Sequence, residues 1–197
     1  MAIDETALAA SLLSLTGAIR AIEGPPVHRL SARLTAIVGA AAEVLGVDSV
    51  GVLLLDETGR LRSVASSAAA AEALERAQQQ LGLGPGHDTQ AGRRTVVVPD
   101  LADVPSYAPL TAEVARLGVR AVLSAPIWCD GAVVGNLNLV RARAGSWTDA
   151  EAAAAEAYAG VVGRVLGLVA DVWTDGARPA WGRRARDNGG EHRADAR

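Results

Sequence analysis

Leu8, Leu12, Leu15, Ile19 and Ile22 recur at steps of four and three, which lays them along one stripe of a helix. Gly24-Pro25-Pro26 then breaks that helix. Leu30, Leu34, Ile37, Val38, Ala41, Val44 and Leu45 share one face of a second helix, and Gly46 stands where a C-terminal stop belongs. Ser49 to Leu55 is a short apolar run, read as a buried strand. Asp56 to Gly59 is turn chemistry, and Arg60 to Ser66 returns as a second strand. Ala68 to Leu81 is built of good helix formers and ends at Gly82 and Gly84-Pro85-Gly86. A short polar helix should follow, then a β-branched strand over Thr95 to Val98, closed by Pro99.

Asp100 to Pro109 reads as loop, and Leu110 to Leu117 as a helix stopped by Gly118. Val119 to Ile127 and Ala132 to Val140 are two strands joined through Asp130-Gly131, a strong hairpin signal. In the second of them Asn136 and Asn138 share one face, while Leu137 and Leu139 share the other. One side of the sheet should therefore meet an apolar layer and the other a polar cavity or water. Thr148 and Glu151 form a T-x-x-E capping box for a last helix, on which Tyr158, Val161, Val162, Val165, Val169 and Val172 follow at helical spacing. Strand pairs joined by tight turns, interspersed with helices, predict an α+β fold with an antiparallel sheet.

Composition narrows the picture. The 197 residues suit one domain with extra segments at its ends. Ala inflates the apolar fraction, so Leu, Val and Ile must fill the core; there is no Phe. All 19 basic side chains are Arg, and the net charge is −3, which creates no global attraction for nucleic acid. Residues 176–197 carry six Arg against three acids and lack apolar periodicity, which predicts a disordered Arg-rich tail. Cys129 is the sole cysteine, which excludes an internal disulfide and a thiolate metal cluster within one chain and agrees with a reducing, cytoplasmic setting. The N-terminal stretch has acids where an export signal has basic residues, and no run nears the roughly eighteen apolar residues of a membrane span.

Candidate chemistry concentrates between Gln80 and Leu101, a Gly-punctuated stretch that reads as a lid over a pocket. His87, after Gly-Pro-Gly at a helix start, fits either a ligand contact or a solvent-facing turn residue. Asp88 is read as the cap of the same helix, with ligand contact as the alternative. Tyr107 fits a pocket wall or a satellite core. Ser124, Asn136 and Asn138 need hydrogen-bond partners, from the lid or from a ligand. No G-x-S-x-G, H-E-x-x-H, phosphate-binding or dinucleotide fingerprint occurs, so no catalytic residue and no metal site is assigned and a non-enzyme is expected.

Taken in order, Val50–Leu55 with Asp56 and Gly59, Gln80 to Pro85, Val96–Val98 before Asp100-Leu101, Gly118 to Ile127, Asp130-Gly131, Val134 to Leu139 and Trp147-Thr148 resemble a GAF domain. More narrowly, the chain resembles the GAF domains of actinobacterial regulators that carry an RNA-binding ANTAR domain. The resemblance spans about residues 27–172, leaving 1–24 as an amphipathic helix and 176–197 as the tail. It implies a GAF/PAS-like central antiparallel sheet with helices on both faces, a pocket under residues 82–118, and a sensory, regulatory role for an unidentified small molecule. It also implies a homodimer or a regulatory protein partner engaged by the terminal helices, here Leu8, Leu12, Leu15, Ile19, Val161, Val165 and Val169; a ligand-free dimerisation module is the alternative. No cofactor is expected, with haem on His87 kept as the alternative. The chain departs from its relatives at three places. Gly86 and His87 stand where those regulators have Cys after Gly-Pro, the ANTAR segment has no counterpart beyond residue 175, and one cysteine is too few for the GAF-type methionine sulfoxide reductases.

Overall fold

The computed structural model describes residues 3–20 and 26–172; the expectations for Ile22 and the tail 176–197 fall outside these residues, as do the side chains of Ile19 and Val169. Strands β1 (Ser49–Leu55), β2 (Leu61–Ser66), β3 (Val96–Val98), β4 (Ala121–Cys129) and β5 (Ala132–Arg141) form one sheet in the order β2-β1-β5-β4-β3. Every neighbouring pair is antiparallel, as the hairpin signals predict. The β1–β2 turn is tied by Asp56, whose Oδ1 accepts from the backbone N–H of Thr58 at 2.9 Å and of Arg60 at 3.0 Å. At the β4–β5 turn Asp130 and Gly131 both adopt left-handed backbone, φ 48° and 78°, which matches the right-handed twist of the strands it joins.

Helices α1 (Glu5–Arg20), α2 (Pro26–Leu45) and α6 (Asp149–Val172) cover one face of the sheet. There Leu137 and Leu139 of β5 and Leu123 and Ile127 of β4 pack with Leu34 and Ile37 of α2 and Val162 and Leu166 of α6. The capping box opens α6 as its sequence predicts: the Thr148 N–H donates to Glu151 Oε2 at 2.9 Å, and the Glu151 N–H donates to Thr148 Oγ1 at 3.2 Å. Glu151 also pairs with Arg141 at the end of β5, and that guanidinium lies 3.8 Å from the centre of the Trp147 ring.

The terminal stripes find their partner inside the chain. Leu8, Leu12 and Leu15 are half-buried against this core, and the Tyr158 hydroxyl donates to Ser11 Oγ at 2.9 Å across the α1–α6 contact. Val161 and Val165 are fully buried in it. They therefore offer no surface to a dimer mate, which corrects the expectation for these two residues. A helical stripe needs an apolar partner, and here the chain supplies it: the sheet for α6, and α2 and α6 for α1.

Helices α3 (Ala69–Leu81), α4 (Pro85–Gly92) and α5 (Ala108–Val114) cover the other face. The segment read as a loop before α5 holds two short 3₁₀ turns, Leu101–Asp103 and Pro105–Tyr107. Asp100 caps the first, accepting from the Ala102 N–H at 3.0 Å, and its carboxylate also binds the Arg120 guanidinium. Among the described residues no helix is long and apolar enough to cross a membrane.

Candidate functional site

Strand alternation sorts the sheet into two unlike faces. On the α3–α4 side, register places Ser66, Gly51, Asn138 and Ser124 side by side across β2, β1, β5 and β4. One step along, Ser63, Leu53 and Asn136 stand in the same way on β2, β1 and β5. This is a polar row in the middle of a buried sheet, opposite the apolar layer described above. Apolar packing resumes at its edge, where Leu74, Leu101, Leu110 and Val122 form a second core.

Helix α3 lowers two more polar side chains onto this row. Ala71, Leu74, Glu75 and Gln78 share its buried face, so an acid and an amide occupy positions that helical periodicity reserves for the core. The Glu75 carboxylate is fully buried. Its Oε2 accepts from Ser63 Oγ at 2.5 Å and Ser66 Oγ at 3.1 Å. Its Oε1 lies over Gly51, where a Cβ would stand only 2.0 Å away, so the lack of a side chain at 51 is what admits the carboxylate. Burial raises the Glu75 pKa to about 8; the Ser63, Ser66 and Asn138 side chains act against that shift, and the nearby Glu72 charge adds to it.

Helix α4 closes the row from above. Gln78 Oε1 accepts from the Gly86 N–H at 2.7 Å, and Asn136 Nδ2 donates to the Gly86 carbonyl at 3.1 Å. A Cβ on Gly86 would stand 2.9 Å from Asn136 Oδ1, so only glycine lets the helix seat so low. Thr89 Oγ1 donates to the Ser124 carbonyl at 3.1 Å and pins the same helix to β4. Yet the layer is not internally satisfied. Among the described residues, Ser49 Oγ, Glu75 Oε1, Gln78 Nε2, Ser124 Oγ, Asn136 Oδ1 and both amide atoms of Asn138 are buried without a hydrogen-bond partner. Asn138 thus sits near enough to Glu75 to favour its ionised form but lacks hydrogen-bond geometry.

The residues singled out from the sequence divide among three settings. Ser124, Asn136 and Asn138 come together in the polar layer. Tyr107 and Asp88 pair with each other: the buried Tyr107 hydroxyl donates to the Asp88 carboxylate. Burial raises the Tyr107 pKa, and the Asp88 hydrogen bond and charge raise it further. Asp88 is not the cap of α4, because the helix begins earlier than its polarity suggests. Gly84 is its N-cap, Pro85 its first residue, and Asp88 lies on the exposed side of the first turn. His87 lies at the wall of an open groove of about 590 Å³ between the β1–β2 hairpin and the α3–α4 corner, its Nε2 donating to the Gln78 carbonyl at 3.0 Å. Neither Tyr107, Ser124, Asn136 nor Asn138 lines that groove. A smaller hollow of about 350 Å³ lies beside Trp128, over which Arg93 is stacked.

Sequence reasoning missed Glu75, Gln78 and Gly51. An acid and an amide on the apolar face of an Ala-rich helix, and a glycine inside an apolar strand, were the available signals. Cys129 is buried on the opposite, α6-facing side of the sheet. Among the described residues no group of three His, Cys, Asp or Glu side chains could hold a metal ion.

No curated protein matches the chain. Solved structures match it well in fold. The GAF domain of a phosphoenolpyruvate-protein phosphotransferase from Acinetobacter superposes with a TM-score of 0.67 at 18% identity, covering 85% of this chain and 96% of that one. The free methionine-R-sulfoxide reductase of Neisseria meningitidis, solved with its substrate, gives 0.65 at 18%, covering 86% and 93%. The GAF domain of the cyanobacteriochrome TePixJ gives 0.58 at 21%, covering 76% and 96%. At these identities the likeness is one of fold. A family model described as GAF domain matches residues 29–166, a span that contains the whole sheet, α3 to α5 and most of α2 and α6, with α1 lying before it. With sheet order, helical layers and family match in agreement, the chain belongs to the GAF domain family.

Proposed function

We propose that this GAF domain is a non-catalytic sensory module of the cytoplasm. It binds a small molecule at the polar layer beneath α3 and α4, and passes the change through the sheet to α1, α2 and α6 and on to a partner protein or dimer mate. The observation that carries this reading is the set of buried, unpartnered polar atoms centred on Asn138. Each such atom costs roughly 1–3 kcal/mol when it is left without a partner, and replacing it with an apolar group would remove that cost. A polar layer kept at such a cost fits a guest that completes its hydrogen bonds.

Two further observations support a binding role over an enzymatic one. The sulfoxide-reductase reading needs cysteine chemistry, and Cys129 lies across the sheet from the polar layer. Among the described residues, no group of three His, Cys, Asp or Glu side chains could hold a metal ion beside Glu75, and neither of the two serines that donate to its carboxylate is hydrogen-bonded to a histidine. The test is thermal denaturation against a metabolite library, run in parallel on the wild-type chain and on Asn138→Leu. At least one compound should raise the melting temperature of the wild type and leave the variant unmoved. A library in which nothing stabilises the wild type, or in which every stabilising compound acts equally on both, overturns the proposal.

A further inference from the structure

We propose that the groove between the β1–β2 hairpin and the α3–α4 corner is a second binding site, built for a small organic carboxylate with an apolar body. Its volume of about 590 Å³ lies within the ~300–1,000 Å³ typical of small-molecule sites. Its charge runs against that of the chain. The protein carries 22 acids against 19 arginines, yet no acid lines the groove, while Arg60, Arg62 and His87 do. A cleft of one sign concentrates ligands of the other.

The two arginines differ. Arg62 Nε is engaged by Asp56 at 2.8 Å. Among the described residues no carboxylate pairs with the Arg60 guanidinium, while its backbone N–H is held by Asp56 Oδ1 at 3.0 Å. Its base is therefore fixed at the hairpin tip and its planar head is free for a carboxylate. Leu55, Leu61 and Leu81 supply apolar walls. At the α4 side, Gln90 lines the groove and its Nε2 donates to the Val133 carbonyl at 3.3 Å, which ties that wall to β5. A carboxylate on Arg60 and an apolar body over the leucines together describe one guest.

Such a guest would bridge the hairpin to α4. The site does not rest on the polar layer, because neither Asn136 nor Asn138 lines the groove. The experiment uses the full chain, titrated by calorimetry with 4-hydroxybenzoate, 3-hydroxybutyrate and salicylate as probes, and with 4-hydroxybenzamide and 4-hydroxybenzylamine as neutral and cationic counterparts. At least one carboxylate should bind, with an affinity that falls as salt rises. The amide and the amine should bind at least tenfold more weakly. Arg60→Gln should weaken carboxylate binding at least tenfold without moving the melting temperature of the free protein, since Arg60 is exposed. Arg116→Gln, an exposed arginine on another part of the surface, should leave binding unchanged. Asn138→Leu should also bind normally, which separates this site from the layer beneath α4. Failure of all three carboxylates, equal binding of the amide, or full affinity in Arg60→Gln overturns the proposal.

Discussion

Glu75 is a carboxylate that the fold keeps dry. Its pKa of about 8 stands above the ordinary value of 4.5, so between these two values the folded chain holds a proton that the unfolded chain has released. Stability from this group is therefore fully present below pH 4.5 and is lost as pH rises toward 8, at up to about 1.4 kcal/mol per pH unit. Chemical denaturation from pH 5 to pH 8 should show stability falling across that window. Glu75→Gln keeps the shape and removes the charge, so it should flatten the slope and leave the variant the more stable of the two at pH 8. A wild type whose stability does not fall over that range would contradict the burial argument. Gly51 belongs to the same feature, because the carboxylate occupies the volume its side chain would fill.

At the scale of elements, the junction of β5 and α6 gathers several small interactions into one joint. Glu151 returns the Thr148 cap, pairs with Arg141 and is itself buried, while Arg141 lies over Trp147. Glu151→Ala removes the reciprocal cap and strands a half-buried guanidinium, which should cost about 2–4 kcal/mol in urea denaturation. Arg141→Ala should cost less, since the cap survives. The signals for this joint were local and so legible in the sequence: a T-x-x-E box, an Asp-Gly turn, and an Asn-Leu-Asn-Leu alternation that splits one strand between two environments. What escaped was everything decided by distance in space. Counting helix formers in Ala69–Leu81 concealed Glu75 and Gln78, whose importance comes from the serines, Gly51 and Gly86 that meet them. Asp88 was misread because a cap depends on where a helix begins, and Gly84-Pro85 moved that point. The stripe holding Val161 and Val165 looks the same whether it faces a second subunit or the chain's own sheet.

At the scale of the molecule, the two faces of the sheet have separate duties: polar residues and α3–α5 on one, the terminal helices on the other. Where an association surface exists on α1 and α6, the exposed side chains identify it. Leu13 is 74% exposed and Leu168 43% exposed. If the terminal helices pair two copies, Leu13→Glu with Leu168→Glu should convert a dimer to a monomer in sedimentation analysis without altering its melting profile below the dissociation range. A wild type already monomeric at high concentration would leave partner proteins as the only outlet. Both substitutions sit on the surface, so neither introduces a charge into the core.

β5 lies at the centre of the sheet, with two strands on either side. Its side chains alternate, asparagines toward one helical layer and leucines toward the other, so neither set can turn without the other. A twist of a few degrees that improved the fit of a guest to Asn136 and Asn138 would swing Leu137 and Leu139 in the opposite sense, against α2 and α6. In the sensor proposed above, the middle strand would work as a rocker: the message would need no chain of moving side chains, only the stiffness of a ribbon whose two edges are clamped.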